Sequence, residues 1–329
     1  MLGPAGSRHE NPEGGCSTTI AASVAAAASN DVIRVASGTY HEDVVIGKPL
    51  SLLGQSPENT IIDATGLLNG VNVDGRGNPG LAHVIVSGFT VQNANAQGIV
   101  VTDASDVTIS NNNVTGNDKS LDITTLTCPP LPPYFQAGEA FDCGEGIHLS
   151  GVHHSIVSEN HVHHNAGGIL ISDDTGPNHD NLISANIVED NPYDCGITIA
   201  SHHFNLGPTD PSLGIYHITV VGNTSARNGL VTGEGAGVGL FTGPPGGQNN
   251  GNVVMNNVLT GNALPGVALH ILEHGVEGRF YSQVRKYHHE DGTVYWFMSD
   301  RPEDATLINR CNEEQTYEAR LAAGTLPRR

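Results

Sequence analysis

Residues 146–165 read GIHLSGVHHSIVSENHVHHN. The stretch holds six of the chain's 17 histidines, but its pattern decides more than its composition. A Gly opens a short strand that alternates apolar and polar. A polar turn follows, then a second alternating strand and an Asn-bearing turn. The same plan starts at Gly98 (GIVVTDASDVTISNNNVTGN), Gly168 (GILISDDTGPNHDNLISANIVEDN), Gly237 (GVGLFTGPPGGQNNGNVVMNNVLTGN) and Gly266 (GVALHIL). It also starts at Gly196 (GITIASHHF), where an insertion precedes the closing ITVVGNTSARN. Units of about 20–30 residues with period-two alternation inside each are the mark of a stacked β-solenoid.

Alternation assigns faces. The inward pairs are Ile99 and Val101, Ile147 and Leu149, Ile169 and Ile171, Ile197 and Ile199, Val238 and Leu240, and Val267 and Leu269. One unit cannot bury that face alone, whereas units stacked about 4.8 Å apart can. Asn recurs in two slots: Asn112, Asn160, Asn186, Asn223 and Asn257, then Asn117, Asn165, Asn191, Asn228 and Asn262. Asn tolerates left-handed turns and its amide bonds neighbouring backbone, so these positions read as structural.

The composition agrees with many short strands and tight turns. The 329 residues include 41 Gly and only 38% hydrophobic residues. The net charge of −20 argues against nucleic acid or an anionic membrane as partner. No apolar run is long enough to span a bilayer, and the longest, Ile20–Ser29, lacks the basic flank of a signal peptide. Cys128 and Cys143 bracket a Pro-rich insertion. They are read either as a loop-closing disulfide or as buried thiols.

An Ala-rich segment (TTIAASVAAAAS) reads as a helix covering the open end of the stack, followed by DVIRVASGTYHEDVVIGKPLSLLG as the first strands. This opening, with its "GTY" and "KPLSLLG", resembles the start of right-handed parallel β-helix proteins of the pectin-lyase-like superfamily. The repeats from Gly98 to Leu272 resemble that superfamily's generic coil. The resemblance implies an all-β right-handed parallel β-helix over residues 16–272, interrupted by an insertion at 118–144. Residues 1–15 are expected to be a flexible N-terminus. Residues 273–329 are expected to be a small α+β tail or cap: a hairpin about Asp291-Gly292, then a helix over ATLINRCNEEQTYEARLAAG.

On the outward side the columns are Val100, His148, Leu170, Thr198 and Thr102, Ser150, Ser172, Ala200. Just beyond or before these strands stand Glu145, Asp173, Asp174, Tyr193, Asp194 and His202. Six of these, Glu145, His148, Asp173, Asp174, Asp194 and His202, are the candidate catalytic residues, with Tyr193, Thr198 and Ser150 as substrate contacts. Paired carboxylates suit glycoside hydrolysis, and His or Tyr beside a carboxylate suits proton abstraction. ISDD resembles the Asp pair of polygalacturonase-type hydrolases, although no Gly-His-Gly or Arg-x-Lys follows it. PYDCGITIASHH places Tyr, Asp and His close together, a grouping that loosely resembles the Asp/His/Tyr sets of β-helix epimerases although the motif itself differs.

Lys and Arg are scarce: between residues 49 and 272 there are only Arg76, Lys119 and Arg227. A uronate would therefore need Ca2+, held by Asp173 and Asp174, to balance its charge. Outward His163 should stack beside Glu189 as a second divalent site. The remaining histidines of the opening stretch read as solvated surface. The resemblance implies a monomeric extracellular or periplasmic protein that acts on a polysaccharide or oligosaccharide as lyase, hydrolase or epimerase. The alternative is a non-catalytic carbohydrate-binding or structural accessory protein.

Overall fold

The computed structural model describes residues 17–130, 143–202, 214–242, 249–264 and 266–271. It also describes positions 132, 135 and 141 and the strand segments 7–9, 285–288, 294–301 and 304–309. The sole helix among them is Ile20–Ala26, capped by Thr19, whose hydroxyl accepts from the Ala22 N–H at 3.2 Å. Its buried side chains, Ile20, Ser23 and Val24, close the first coil as expected.

Three main sheets, parallel throughout the coils, wind around one core, and a small three-stranded sheet lies at one corner. The sheet that carries the candidate residues, called the site sheet below, has eight strands. In chain order they are Val44–Ile46, Val71–Asp74, Ile99–Thr102, Glu145–Ser150, Gly167–Ser172, Ile197–Ser201, Val238–Thr242 and Val267–Ile271. Pairing is one to one: Ile99, Ile147, Ile169, Ile197 and Val238 are Cα partners in sequence. These residues are fully buried, as the alternation requires.

The Gly that opens each unit is demanded by the stacking. A Cβ on Gly98, Gly146 or Gly168 would lie 2.5, 2.3 or 2.3 Å from the Cγ1 of Val114, Val162 or Val188. No side chain fits there.

The Asn slots form two buried ladders. Asn160 Nδ2 donates to Asn186 Oδ1 at 3.0 Å, and Asn186 Nδ2 to Asn223 Oδ1 at 2.9 Å. In the other slot, Asn165 Nδ2 donates to Asn191 Oδ1 at 3.3 Å. One expectation needs correction. The left-handed residue is the one before each ladder Asn: Glu159, His164, Ala185, Asp190, Arg227 and Asn256 have φ between 54° and 58°. The ladder Asn spends its side chain on backbone groups of adjacent coils, and the preceding residue makes the bend.

The tail also departs from expectation. Arg285–His288 and Val294–Arg301 pair antiparallel as the arms of the expected hairpin. Asp304–Asn309, expected to begin a helix, is instead a strand. It pairs with Val294–Arg301 and, through Val254↔Ile308, with the last coil. An exposed parallel edge offers unpaired backbone groups that a strand satisfies and a helix does not. Residues 310–324 of that expected helix, and the turn at 291–292, lie outside the described residues. At the other end, Ser7–His9 pairs antiparallel with Asp31–Val35, within the stretch expected to be flexible.

Candidate functional site

Sequence alternation put His148 and Ser172 on the outward side of the site sheet, and the register agrees: Val100↔His148↔Leu170↔Thr198 and Thr102↔Ser150↔Ser172↔Ala200. Outward does not mean exposed, however. Every residue of Glu145–Ser150 and Gly167–Ser172 is buried. The reason is a second apolar cluster outside the solenoid core, made by Phe135, Leu170, Ala200 and Phe241. Phe135 comes from the insertion, whose ends are tied by a Cys128–Cys143 disulfide with Cα atoms 5.3 Å apart. Of the two readings open for this cysteine pair, the bonded one is found.

Beneath this apolar cover sits a compact polar cluster drawn from three coils. His202 Nδ1 lies 2.7 Å from Asp174 Oδ1. The other oxygen, Asp174 Oδ2, is 3.9 Å from His148 Nε2. His148 Nε2 in turn contacts Ser172 Oγ at 2.8 Å. Both imidazoles meet aromatic edges: Phe135 against His148 at 5.2 Å and Phe241 against His202 at 5.6 Å between centroids. His148 is 0% exposed, His202 4% and Asp174 9%, so the cluster works in a low dielectric.

Burial pushes the His148 imidazole down to about 4, the nearby His202 adding to that effect and the Asp174 carboxylate opposing it. His148 is therefore neutral at physiological pH. The short contact to Asp174 fixes the other histidine: Nδ1–H of His202 donates to the carboxylate, which leaves Nε2 as the basic nitrogen.

Asp173 plays a different part from Asp174. Its Oδ2 accepts from Ser201 Oγ at 2.7 Å and its Oδ1 from the His202 N–H at 2.9 Å. It thus clamps the backbone that carries His202.

The nine expected site residues do not form one cleft. Asp173, Asp174, His148 and His202 gather, whereas Glu145 and Asp194 flank Gly167 at the other end of the strands. His148 stands three residues beyond Glu145 on the same strand, roughly 10 Å at about 3.3 Å each, and Asp173, Asp174 and His202 follow the strand ends further along. Tyr193 lies with the latter group, partly exposed. Ser150 bonds Thr175 Oγ1 at 3.1 Å, and Thr198 is partly exposed in the His148 column, two coils away beyond Leu170.

His163 stands in register with Glu189, as expected. The Glu189 carboxylate is nevertheless held by His161 at 3.1 Å and Arg227 at 2.8 Å, while His163 contacts Asn113, Thr115 and His164. Sequence reading missed Ser201, Phe135 and Phe241 as parts of the site. Extending the alternation one coil further exposes Phe241, the register partner of Ala200. Nothing in the sequence announces that Phe135 reaches His148.

Residues 69–278 match the family described as "Right handed beta helix region". No curated protein matches the chain. Among solved structures, an alginate lyase from Paenibacillus sp. str. FPU-7 aligns at 13% identity and a TM-score of 0.45. It covers 77% of this chain and 95% of the other. ORF18 of Geobacillus virus E2 aligns at 12% identity and a TM-score of 0.43, covering 88% and 72%. A pectin methylesterase in complex with a hexasaccharide aligns at 13% identity and a TM-score of 0.38, covering 88% and 83%.

Proposed function

The chain belongs to the right-handed β-helix family, and on that premise we propose that it is a carbohydrate-active protein that processes an extracellular polysaccharide by acid–base chemistry. The observation that carries this reading is the Asp174–His202 pair at 2.7 Å, with neutral His148 beside it. An imidazole whose Nδ1–H is held by a carboxylate is a positioned base, and the carboxylate stabilises the imidazolium formed when Nε2 takes a proton. Asp173 supports the alignment of His202 and is not a second reacting carboxylate, because both its oxygens accept bonds from the protein.

The chemistry therefore favours proton abstraction, as in a lyase or epimerase, over hydrolysis by two carboxylates. In the lyase form His202 Nε2 removes a ring C–H proton. Its electron pair becomes a C=C bond as the glycosidic C–O bond breaks, and the departing oxygen takes up a proton. Arg227 is engaged with Glu189 and Asp190, so it does not serve a uronate here. A uronate substrate would need a cation other than Arg227 beside the pair, Ca2+ being one source, and a neutral glycan would not.

The test is product release from uronate-rich and neutral polysaccharides, with and without Ca2+ and chelator. Unsaturated or epimerised products support the proposal, and reducing ends without unsaturation point to hydrolysis. The burial of the cluster favours a second reading, a non-catalytic glycan-binding or structural coil stack in which the pair stabilises the fold. Saturable glycan binding with no product from any polysaccharide would select it. No helix among the described residues is long and apolar enough to cross a membrane. Extracellular or periplasmic location and a monomeric state are part of this proposal.

A further inference from the structure

The histidines of the opening stretch are not scattered decoration. At the corner after the site sheet, Ala82, Ser105, His153, His179 and Tyr216 are parallel partners on successive coils. The residue after each is left-handed: His83, Asp106, His154, Asp180 and His217, with φ between 52° and 59°. Backbone bonds tie this second column too: His154 N donates to His179 O at 3.3 Å and Asp180 N to Tyr216 O at 3.2 Å. The corner thus presents His, Asp, His, Asp and His in axial order. Left-handed geometry accepts His and Asp, but equally Asn or Gly, so the backbone alone does not call for this alternation.

The alternation converges on Asp180. Its Oδ2 lies 2.8 Å from His179 Nδ1 and 3.9 Å from His154 Nε2, and its Oδ1 lies 3.4 Å from His217 Nδ1. A tetrahedral Zn2+ with bonds of about 2.0–2.1 Å keeps adjacent donor atoms about 3.3–3.4 Å apart. The three observed separations straddle that value. The His179 ring is fixed between parallel rings, His153 at 4.9 Å and Tyr216 at 4.7 Å, the kind of outer support that orients a metal-binding imidazole. His154 and His217 are 56% and 63% exposed, so they can rotate without disturbing the core. Among the described residues no three donors already meet at one point, and the site therefore closes by side-chain rotation.

We propose that Asp180, His154, His179 and His217 form a binding site for a divalent transition ion of the zinc class. Three imidazoles and one carboxylate suit zinc better than calcium or magnesium, which take oxygen ligands. The ligands come from three successive coils, so the ion staples the stack at this corner. The site is independent of the glycan reading, since it shares no residue with the Asp174–His202 pair.

The test uses the full chain, with Zn2+ titrated calorimetrically and Co2+ as the spectroscopic probe. The expected result is saturable Zn2+ binding, a tetrahedral Co2+ absorption spectrum, and a thermal midpoint that rises with Zn2+. Asp180→Asn and the double change His154→Gln with His217→Gln should each weaken Zn2+ at least tenfold and abolish the midpoint rise. His161→Gln with His163→Gln should leave both intact. Absence of saturable Zn2+ binding to the wild-type chain would overturn the proposal. So would unchanged affinity in Asp180→Asn, or loss of binding in the His161/His163 variant alone.

Discussion

Asn186→Ala is the sharpest test of how the coils are held. The Asn186 side chain is 1% exposed and makes four bonds. It donates to Val157 O at 2.9 Å and to Asn223 Oδ1 at 2.9 Å. It accepts from Asn160 N at 3.0 Å and from Asn160 Nδ2 at 3.0 Å. Alanine deletes all four at once. Asn160 Nδ2 keeps its bond to Ile109 O, and Asn223 Oδ1 keeps the one from Asn186 N, so the serious losses are at Asn160 N and Val157 O. An orphaned buried group costs about 1–3 kcal/mol, so the two together cost about 2–6 kcal/mol. The neighbouring Ile187 is 46% exposed, and its change to Ala should stay within about 0.5 kcal/mol. Urea unfolding followed by far-UV circular dichroism reads both. Asn186→Asp adds a second arm: it keeps both acceptors, loses both donors, and should destabilise further as pH rises and the carboxyl ionises. If Asn186→Ala unfolds within about 0.5 kcal/mol of wild type, the ladder is not what holds the coils, and the reasoning fails.

Other outcomes follow from the site. Burial holds His148 at about 4, against 6.5 for an unhindered imidazole, so the unfolded chain takes up this proton first as pH falls. Stability resting on neutral His148 is full above pH 6.5 and is lost between there and pH 4, by about 3 kcal/mol. His148→Met should flatten the fall in urea midpoint across that window, and an unchanged slope would contradict the assignment. Replacing Cys128 and Cys143 by Ser opens a link between residues 15 apart in sequence and should cost up to about 3 kcal/mol. Equal thermal midpoints for the Ser variant and wild type would show that the link carries no stability. Zn2+ should raise the thermal midpoint of the wild-type chain and not that of Asp180→Asn, as read by calorimetry.

Much of this architecture is legible in the chain because a solenoid repeats its rules. Period-two alternation put Ile147, Ile169 and Ile197 in one column, and coil-to-coil spacing put His148 two residues from the Ser172 level; the pairing Ile147↔Ile169↔Ile197 bears this out. Alternation says which side a residue faces and nothing about what covers it. The cover on His148 is Phe135, from an insertion that follows no repeat, so the expected open face is a buried one. Strand position also misleads where distance runs along the strand. Glu145 and Asp194 meet beside Gly167, at the start of the strands whose other end carries Asp174. The left-handed positions carry no residue signature of their own: they are His154, His164, Asp180, Ala185 and Arg227, one residue before a buried Ser or Asn. Tail residues 304–309 look helical by composition and become a strand because the last coil offers an edge to pair with.

The most direct test of the proposed activity is the initial rate of Asp174→Asn against wild type on whichever polysaccharide the wild type converts. Asn keeps the shape of Asp174 but cannot hold the charge that fixes His202 as a base. The account expects the rate to fall by at least a hundredfold while circular dichroism and urea midpoint show a folded chain. A folded variant that turns over at the wild-type rate would contradict it.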